Sequence, residues 1–184
     1  MISTKNSAES QVKAQFLQLH LASGTIALLP TEKVSKITRQ SAVQKNLELI
    51  PTQVLTISAD RVVSMPHMAS WVMGAYNYRG KIMWLVDLGY LMGLVPISRQ
   101  ARSLTDYTTV MVHISSDESS NQLVGLVVNR VNSIERCNLS SIITSSAEPN
   151  TEFDKFFQGY WEKCATEILP VLDLELIGQK IFDY

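Results

Sequence analysis

The chain has 184 residues, of which 46% are hydrophobic and 18% are charged. This length suits one domain, or one domain built of two small lobes, and the composition is typical of folded globular proteins. The formal net charge is -1, so no long-range field attracts the chain to nucleic acid or to anionic lipid. The first residues are polar and no apolar run is long enough to span a bilayer, which predicts a cytoplasmic protein without membrane insertion.

The folded part is predicted to begin near residue 15. Residues 1–14 are polar and predict a flexible segment, so the domain covers 15–184. Between 38 and 60 the hydrophobic pattern is weak, which predicts an extended excursion from the domain. Within it, only the short run from Val54 to Ile57 could form an extra strand.

Alternating apolar and polar residues, separated by turn residues, predict four β-hairpins. They cover residues 17–30, 71–86, 110–128 and 157–172. The second is marked most clearly, because a tight turn at Asn77–Gly80 joins its two strands. Thr31 can cap a short helix after the first hairpin. Residues 140–151 predict a loop, and a short helix is expected after the last hairpin.

An internal repeat relates the second hairpin to the last one. The run Ile82–Leu88 is matched by Ile168–Leu174, and each apolar strand ends in an aspartate, Asp87 or Asp173. A carboxylate at this point can accept hydrogen bonds from the next backbone amides and begin a short helix, so both aspartates are predicted to be structural. Two similar lobes, each a small closed β-barrel of short strands, explain the repeat.

The residue types that catalysis or metal binding requires do not occur in useful groupings. His20, His67 and His113 are far apart in the sequence, and none is spaced with a carboxylate as in a metal site. No glycine-rich phosphate loop and no nucleophile elbow is present. Cys137 and Cys164 have no metal-binding spacing and are predicted to be reduced, half-buried thiols. We therefore expect a protein that is not an enzyme and has no cofactor or metal.

A small barrel that binds nucleic acid is the alternative in a different class. Such a protein needs basic residues interleaved with aromatic residues on one surface. Tyr76, Tyr78 and Arg79 come close to this pattern. The balanced charge and the absence of a basic cluster disfavour it.

The segment Trp71–Leu94 resembles the central signature of the CheW family. There, as here, a proline-containing approach leads into a glycine-containing strand, a turn of the form Asn-x-Arg-Gly, and an apolar strand that ends in Asp-Leu. Further segments match in the family's order: the first hairpin with residues 34–37, residues 125–134, and residues 168–174. The resemblance covers most of the chain from Gln15 onward.

The resemblance implies a mainly β fold of two SH3-like barrels packed side by side, with a few short helices and no enzymatic activity. It implies a signalling adaptor that couples chemoreceptor-type sensors to a CheA-type histidine kinase in chemotaxis or motility control. One surface would contact the regulatory domain of the kinase, and another the cytoplasmic tip of a methyl-accepting chemoreceptor. The cytoplasmic adaptor would thereby be recruited to membrane receptor arrays.

The resemblance also implies a set of partner-binding residues. Arg79 occupies the position of the family's contact arginine, and a planar guanidinium among apolar residues suits a binding hot spot. Four apolar residues match positions of the partner-facing groove. At Lys36 the family commonly has a glutamate that could pair with the turn arginine, so that ion pair cannot form here. The predicted contact residues are Val34, Lys36, Asn77, Arg79, Gly80, Ile82, Val131 and Ile134.

Other departures concern the pathway that the protein serves. Trp84 stands where the family often has proline, Asn129 stands where it often has aspartate, and the 38–60 excursion is longer than the usual connection. A specialised scaffold of a type IV pilus or phototaxis array is therefore an alternative to a flagellar adaptor, and the sequence leaves both open.

Overall fold

The computed structural model describes residues 13–31, 52–100, 105–115, 121–144 and 151–183. The short helix predicted after Thr31, and with it Val34 and Lys36, lies outside these ranges. Thr31 and Thr52, the described residues on either side of 32–51, are in contact: the Thr52 hydroxyl donates a 2.9 Å hydrogen bond to the Thr31 carbonyl oxygen. The described residues form two β-sheets with a few short helices, which confirms the predicted mainly β fold.

Each sheet forms one lobe. The first lobe has the strand order β8-β1-β2-β11-β10-β9 and the second has the order β3-β6-β7-β5-β4. The strands of the first lobe are β1 Lys13–His20, β2 Ile26–Pro30, β8 Arg130–Asn138, β9 Ile142–Ile143, β10 Phe157–Cys164 and β11 Glu167–Leu172. Those of the second lobe are β3 Gln53–Ser58, β4 Val72–Tyr78, β5 Lys81–Asp87, β6 Asp106–Ser115 and β7 Asn121–Val128.

The two lobes share one topology. Each contains a single parallel pair, β2 with β11 in the first lobe and β5 with β7 in the second, among antiparallel neighbours. In each, the chain leaves one edge strand through a 3-10 turn, Leu139–Ser141 or Ala59–Arg61, and then pairs with the opposite edge. The sheets therefore curl into small barrels, as predicted from the repeat.

A glycine makes this closure possible in both lobes. Gly74 on β4 lies against the backbone of Val63, and Gly159 on β10 lies against the backbone of Ile143. A Cβ atom added at either glycine would collide with the carbonyl oxygen of the facing residue. The two backbones can approach this closely only without a side chain between them.

The apolar residues form three cores. One lies inside the second lobe, around Met83, Leu85 and Met111, and one lies inside the first lobe, around Phe16 and Val171. The third and largest lies between the lobes. It contains residues of both sheets, including Leu17, Leu19 and Leu29 of the first and Val110, Val112 and Leu126 of the second. Burial of this shared core holds the two barrels side by side.

The four predicted hairpins are confirmed, although their boundaries differ. The first strand begins at Lys13, two residues before the predicted start of the folded part. The run Val54 to Ile57 does form a strand, and β3 pairs with β6 over its whole length. The loop predicted over 140–151 is wrong at Ile142–Ile143, which form the closing strand β9. A strand this short gives no periodic signal in the sequence.

The two aspartates of the repeat cap helices, as predicted. Asp173 Oδ1 accepts hydrogen bonds from the amides of Glu175 and Leu176, and begins α2, Leu174–Phe182. Asp87 begins α1, Leu88–Leu91, by accepting a 3.0 Å bond from the Tyr90 amide. None of the helices in the described ranges is long and apolar enough to cross a membrane.

The cysteines differ from the prediction that both are half-buried. Cys137 is buried in the core of the first lobe, and Cys164 is exposed near the tip of the β10–β11 hairpin. Both are free thiols. Cys164 is exposed because it lies at the end of β10, where the last three residues of the strand are all exposed, whereas Cys137 of β8 packs into the core.

Candidate partner-binding surfaces

The turn between β4 and β5 is tighter than predicted. Tyr78 pairs with Lys81, so only Arg79 and Gly80 lie outside the ladder, and Asn77 belongs to β4. Arg79 has φ 52° and Gly80 has φ 82°. Two consecutive positive φ angles are what a two-residue type I′ hairpin turn requires. The predicted four-residue turn Asn77–Gly80 is therefore corrected to a two-residue one.

Asn77 holds this turn in place. Its side-chain oxygen accepts a 2.8 Å hydrogen bond from the Gly80 amide. Such a bond from an asparagine side chain to a nearby amide is a common way to fix a tight turn. Asn77 and Gly80 are thus placed as structural residues that orient the arginine between them.

Arg79 is the unusual residue of the turn. The left-handed conformation costs a residue with a Cβ atom about 1–2 kcal/mol, and asparagine or glycine normally occupies this position. Arg79 is nevertheless exposed, with its guanidinium carbon 5.2 Å from the centre of the Tyr78 ring. Backbone strain at an exposed side chain points to a role outside folding.

The outer face of the same hairpin is apolar. Met83 and Leu85 point into the core of the second lobe, so Ile82 and Trp84 point outward on the intervening positions of β5. Ile82 pairs with Asn77 of β4 across the hairpin. Trp84 pairs with Ala75 of β4, and Ala75 pairs on its other side with Val63. Ile82 and Val63 are strongly exposed, so they extend the apolar face beside the arginine turn.

The first lobe has an equivalent face. The two lobes can be aligned on the repeat, Ile82–Leu88 with Ile168–Leu174, and on the closing glycines, Gly74 with Gly159. In this alignment, three exposed aliphatic residues of each lobe occupy equivalent positions. The pairs and their exposed fractions are Ile82 69% and Ile168 63%, Val63 63% and Ile143 63%, and Val54 45% and Ile134 60%. Their recurrence at matched positions in both lobes makes these six residues candidates for contact with another protein.

The two faces differ in charge. At positions matched to Asn77 and Lys81 of the second lobe, the first lobe has Glu162 and Glu167. Lys163, which lies in the β10–β11 hairpin of the first lobe, forms a 2.9 Å ion pair with Glu135 of β8. This bond lowers the pKa of Glu135 and raises that of Lys163. At these two hairpins the second lobe therefore presents Lys81 and Arg79 near Ile82, and the first lobe presents Glu162 and Glu167 near Ile168. The contrast does not extend to Ile134, because the exposed Arg136 lies two positions along the same strand.

The structure divides the predicted contact residues between the lobes. It brings Asn77, Arg79, Gly80 and Ile82 together at the β4–β5 hairpin. Ile134 lies exposed on β8 of the first lobe. Val131 lies on the same strand but is half-buried against the central core.

Sequence reasoning missed four exposed residues of these faces, one of which, Val54, it had placed in a possible strand without assigning it to a surface. The sequence contained a signal for Ile168, because the repeat aligns this residue with Ile82. Val63 and Ile143 had no signal, since an isolated aliphatic residue in a weakly patterned stretch is as consistent with burial as with exposure.

An open pocket of about 270 Å³ lies next to Ile82, where β5 and β7 begin and β6 ends. Its walls combine apolar and polar side chains. They belong to Lys81, Ile82, Trp84, His113, Gln122 and Leu123. Half-buried Trp84, the residue that departs from the family's frequent proline, forms part of this wall.

Within the described ranges, no three histidine, cysteine or acidic side chains group as metal ligands would. Asp87 is buried, and its second oxygen accepts a 2.7 Å bond from the Ile97 amide. Burial raises the pKa of Asp87, against the lowering effect of its bonds from backbone amides. Its bonds make it a structural bridge between α1 and the turn at Ile97–Arg99.

The fold and surfaces define a protein of two similar barrels, each with an exposed apolar face. The family model of the CheW-like domain matches residues 52–182, and the chain therefore belongs to the CheW-like family. A crystal structure of the scaffolding protein TtCheW from Thermoanaerobacter tengcongensis is similar, with a TM-score of 0.64 and 17% sequence identity over 90% of this chain and 92% of that one. At this identity the likeness concerns the fold. No curated protein sequence matches the chain.

Proposed function

We propose that the chain is a non-catalytic adaptor that couples chemoreceptor-type sensors to a CheA-type histidine kinase in the cytoplasm, at membrane receptor arrays. Membership of the CheW-like family supports this proposal in general terms. The observation that carries it is the pair of matched aliphatic faces, one on each lobe. A protein that bridges two partners needs two such surfaces, and a rigid shared core keeps them in a constant relation.

The charges of the two faces support different partners for the two lobes. Two similar apolar surfaces with opposite charge select different proteins. A partner whose charge has the same sign as the surface binds at a cost in free energy, and a partner of opposite charge does not. We assign one face to the regulatory domain of the kinase and the other to the cytoplasmic tip of the receptor. Each contact can be modest in area, since several together strengthen an array through multivalency.

Arg79 is the residue we expect to contribute most to binding in the second lobe. It is exposed, it is held by a fixed turn, and its strained backbone costs stability that folding alone would not retain. An arginine whose stem lies beside apolar residues and whose planar head is free to bond is the usual composition of a hot spot.

A pull-down tests the adaptor role. Wild-type protein, Arg79→Glu and Arg61→Glu are each used to recover a histidine kinase and a receptor from the source cells. Arg61 is an exposed arginine of the same lobe in the 3-10 turn Ala59–Arg61, so it controls for a general effect of charge reversal. Wild type and Arg61→Glu are expected to recover both proteins, and Arg79→Glu is expected to lose at least one. Recovery of neither by wild type would contradict the adaptor role.

A second pair of variants tests whether the lobes bind separately. Ile82→Lys and Ile168→Lys change matched, exposed residues, so neither should disturb a core. We expect each variant to lose one partner and to keep the other. If both variants recover both proteins, the aliphatic faces are not the binding surfaces. The kinase that is recovered also identifies the pathway, whether flagellar, pilus-driven or light-responsive.

The nucleic-acid alternative gains no support from the aromatic residues that suggested it. Tyr76 and Tyr78 pack partly against the core of the second lobe. One face of Tyr78 also carries the Arg79 guanidinium. Stacking with bases needs freely exposed ring faces, and both of these side chains are only partly exposed.

A further inference from the structure

The pocket beside Ile82 combines two kinds of wall. Ile82, Trp84 and Leu123 make it apolar, and Lys81 and Gln122 bring exposed polar groups to its mouth. Its volume of about 270 Å³ is that of a site for one or two side chains. A ligand that fits such a site has an aliphatic part for the walls and a polar group for the mouth.

The charge at the mouth decides the kind of polar group. Among the described residues that line the pocket, Lys81 and His113 are the titratable ones, and none of these described residues is a carboxylate. Arg79 lies two residues from Lys81 in the adjoining turn. An ammonium and a guanidinium at the edge of an apolar pocket favour a carboxylate as the group that enters with the aliphatic part.

The described carboxylates of the second lobe lie at the other end of the barrel. Asp87 ends β5, about 20 Å along the strand from Lys81. Asp106 begins β6, whose other end carries His113, and Asp60 follows Ser58, the residue that pairs with Asp106. Among the described residues of this lobe, the acidic groups and the pocket are thus segregated to opposite ends.

We infer that this pocket binds an acidic, aliphatic segment of a partner protein, with a branched side chain against Trp84 and a neighbouring carboxylate on Lys81. The inference rests on the proposed adaptor function for the identity of the partner, and it names the chemistry that the second lobe recognises. Trp84 then acts as a specificity residue, because its ring forms a wall that the family's frequent proline would not provide.

The test uses the full chain and a defined probe, the blocked dipeptide acetyl-Leu-Glu-amide, with acetyl-Leu-Lys-amide as its charge-reversed control. Proton–nitrogen correlation spectra follow the indole N–H of Trp84, which is assigned by its loss in Trp84→Phe. The glutamate peptide is expected to shift this signal saturably, and the lysine peptide is expected to bind more weakly. Equal shifts with both peptides, or no saturable shift with either, would overturn the inference.

Two charge variants sharpen the test. Lys81→Met is expected to weaken binding of the glutamate peptide about two- to fivefold, as for an exposed ion pair. Lys180→Met removes an exposed lysine from α2 and should leave binding unchanged. The connection between β6 and β7 contains Asp117 and Glu118. Neutralising both, as Asp117→Asn with Glu118→Gln, should leave binding equal or tighter, and weaker binding would contradict the carboxylate assignment.

The outcome is separable from that of the pull-down. If the peptide binds at Trp84 but wild-type protein recovers neither kinase nor receptor, the pocket assignment stands and the adaptor role fails. If both partners are recovered and the peptide does not bind, the adaptor role stands and the pocket assignment fails.

Discussion

Replacing Arg79 by glycine should separate binding from folding. At φ 52°, the arginine adopts a conformation that costs about 1–2 kcal/mol and that glycine adopts freely. Against this gain, glycine makes the unfolded chain more flexible, at about 0.4–1 kcal/mol. The exposed contact with the Tyr78 ring, 5.2 Å from the guanidinium carbon, contributes about 0.5–1 kcal/mol that is lost. The net change in stability is therefore expected within about 1 kcal/mol of zero.

Binding should respond very differently. A hot-spot arginine contributes about 2 kcal/mol or more, which corresponds to roughly 30-fold in affinity. Urea denaturation measures the free energy of unfolding of Arg79→Gly, and titration calorimetry with the recovered partner measures its affinity. Arg79→Lys keeps the charge and the strained backbone but loses the planar fork, so it should be as stable as wild type and intermediate in affinity.

The reasoning is refuted by either of two results. If Arg79→Gly loses more than about 2 kcal/mol of stability, the arginine braces the turn and the strain argument is wrong. If the variant is stable and binds as well as wild type, Arg79 is not a contact residue. A stable variant with weak binding is the result that the turn geometry predicts.

Three further predictions concern the fold. Burial raises the pKa of Asp87, so the native carboxyl holds its proton more tightly than the unfolded chain does. Wild type should therefore lose stability relative to Asp87→Asn as the pH rises above 3.8. Urea denaturation of both proteins at about pH 4 and about pH 7 measures the difference in unfolding free energy, and a gain of stability by wild type at the higher pH would contradict the prediction. Gly74→Ala should cost about 2–3 kcal/mol or more of stability, because the added methyl group collides with the backbone of Val63. Gly24→Ala, with open space around it, should cost about 1 kcal/mol. Equal losses of stability in thermal unfolding would show that the close contact at Gly74 does not require a glycine. A thiol reagent should label Cys164 before Cys137. Cys164 is exposed and a hydrogen bond with the Thr166 side chain lowers its pKa, whereas burial raises the pKa of Cys137 to about 11. Mass spectrometry that found Cys137 labelled first would contradict both assignments.

Local patterns in the sequence were sufficient for the hairpins and the caps. The period of two marks β-strands whose faces differ in polarity, and the repeat of Ile82–Leu88 in Ile168–Leu174 predicted two lobes whose aspartates cap helices. These features depend on residues that are close along the chain. They can therefore be inferred before any long-range contact is known.

The same patterns were insufficient where the structure depends on distant residues. Ile142–Ile143 form a strand only because β10 offers an open edge to pair with, and β8 is held by pairing with β1, more than 100 residues earlier in the chain. The two-residue turn at Arg79 depends on which residues pair across β4 and β5, and a turn motif alone does not specify that register.

By itself, the sequence determined the mainly β class, the four hairpins, the two-lobe repeat and the family signature around Arg79. Only the tertiary structure decided which aliphatic residues are buried between the barrels and which remain exposed. Val110 and Val54 illustrate the reason, since they lie opposite each other on paired strands, yet one is buried in the central core and the other is exposed. The difference arises from which part of this sheet the first barrel covers, and the hydrophobicity of a residue does not specify what covers it.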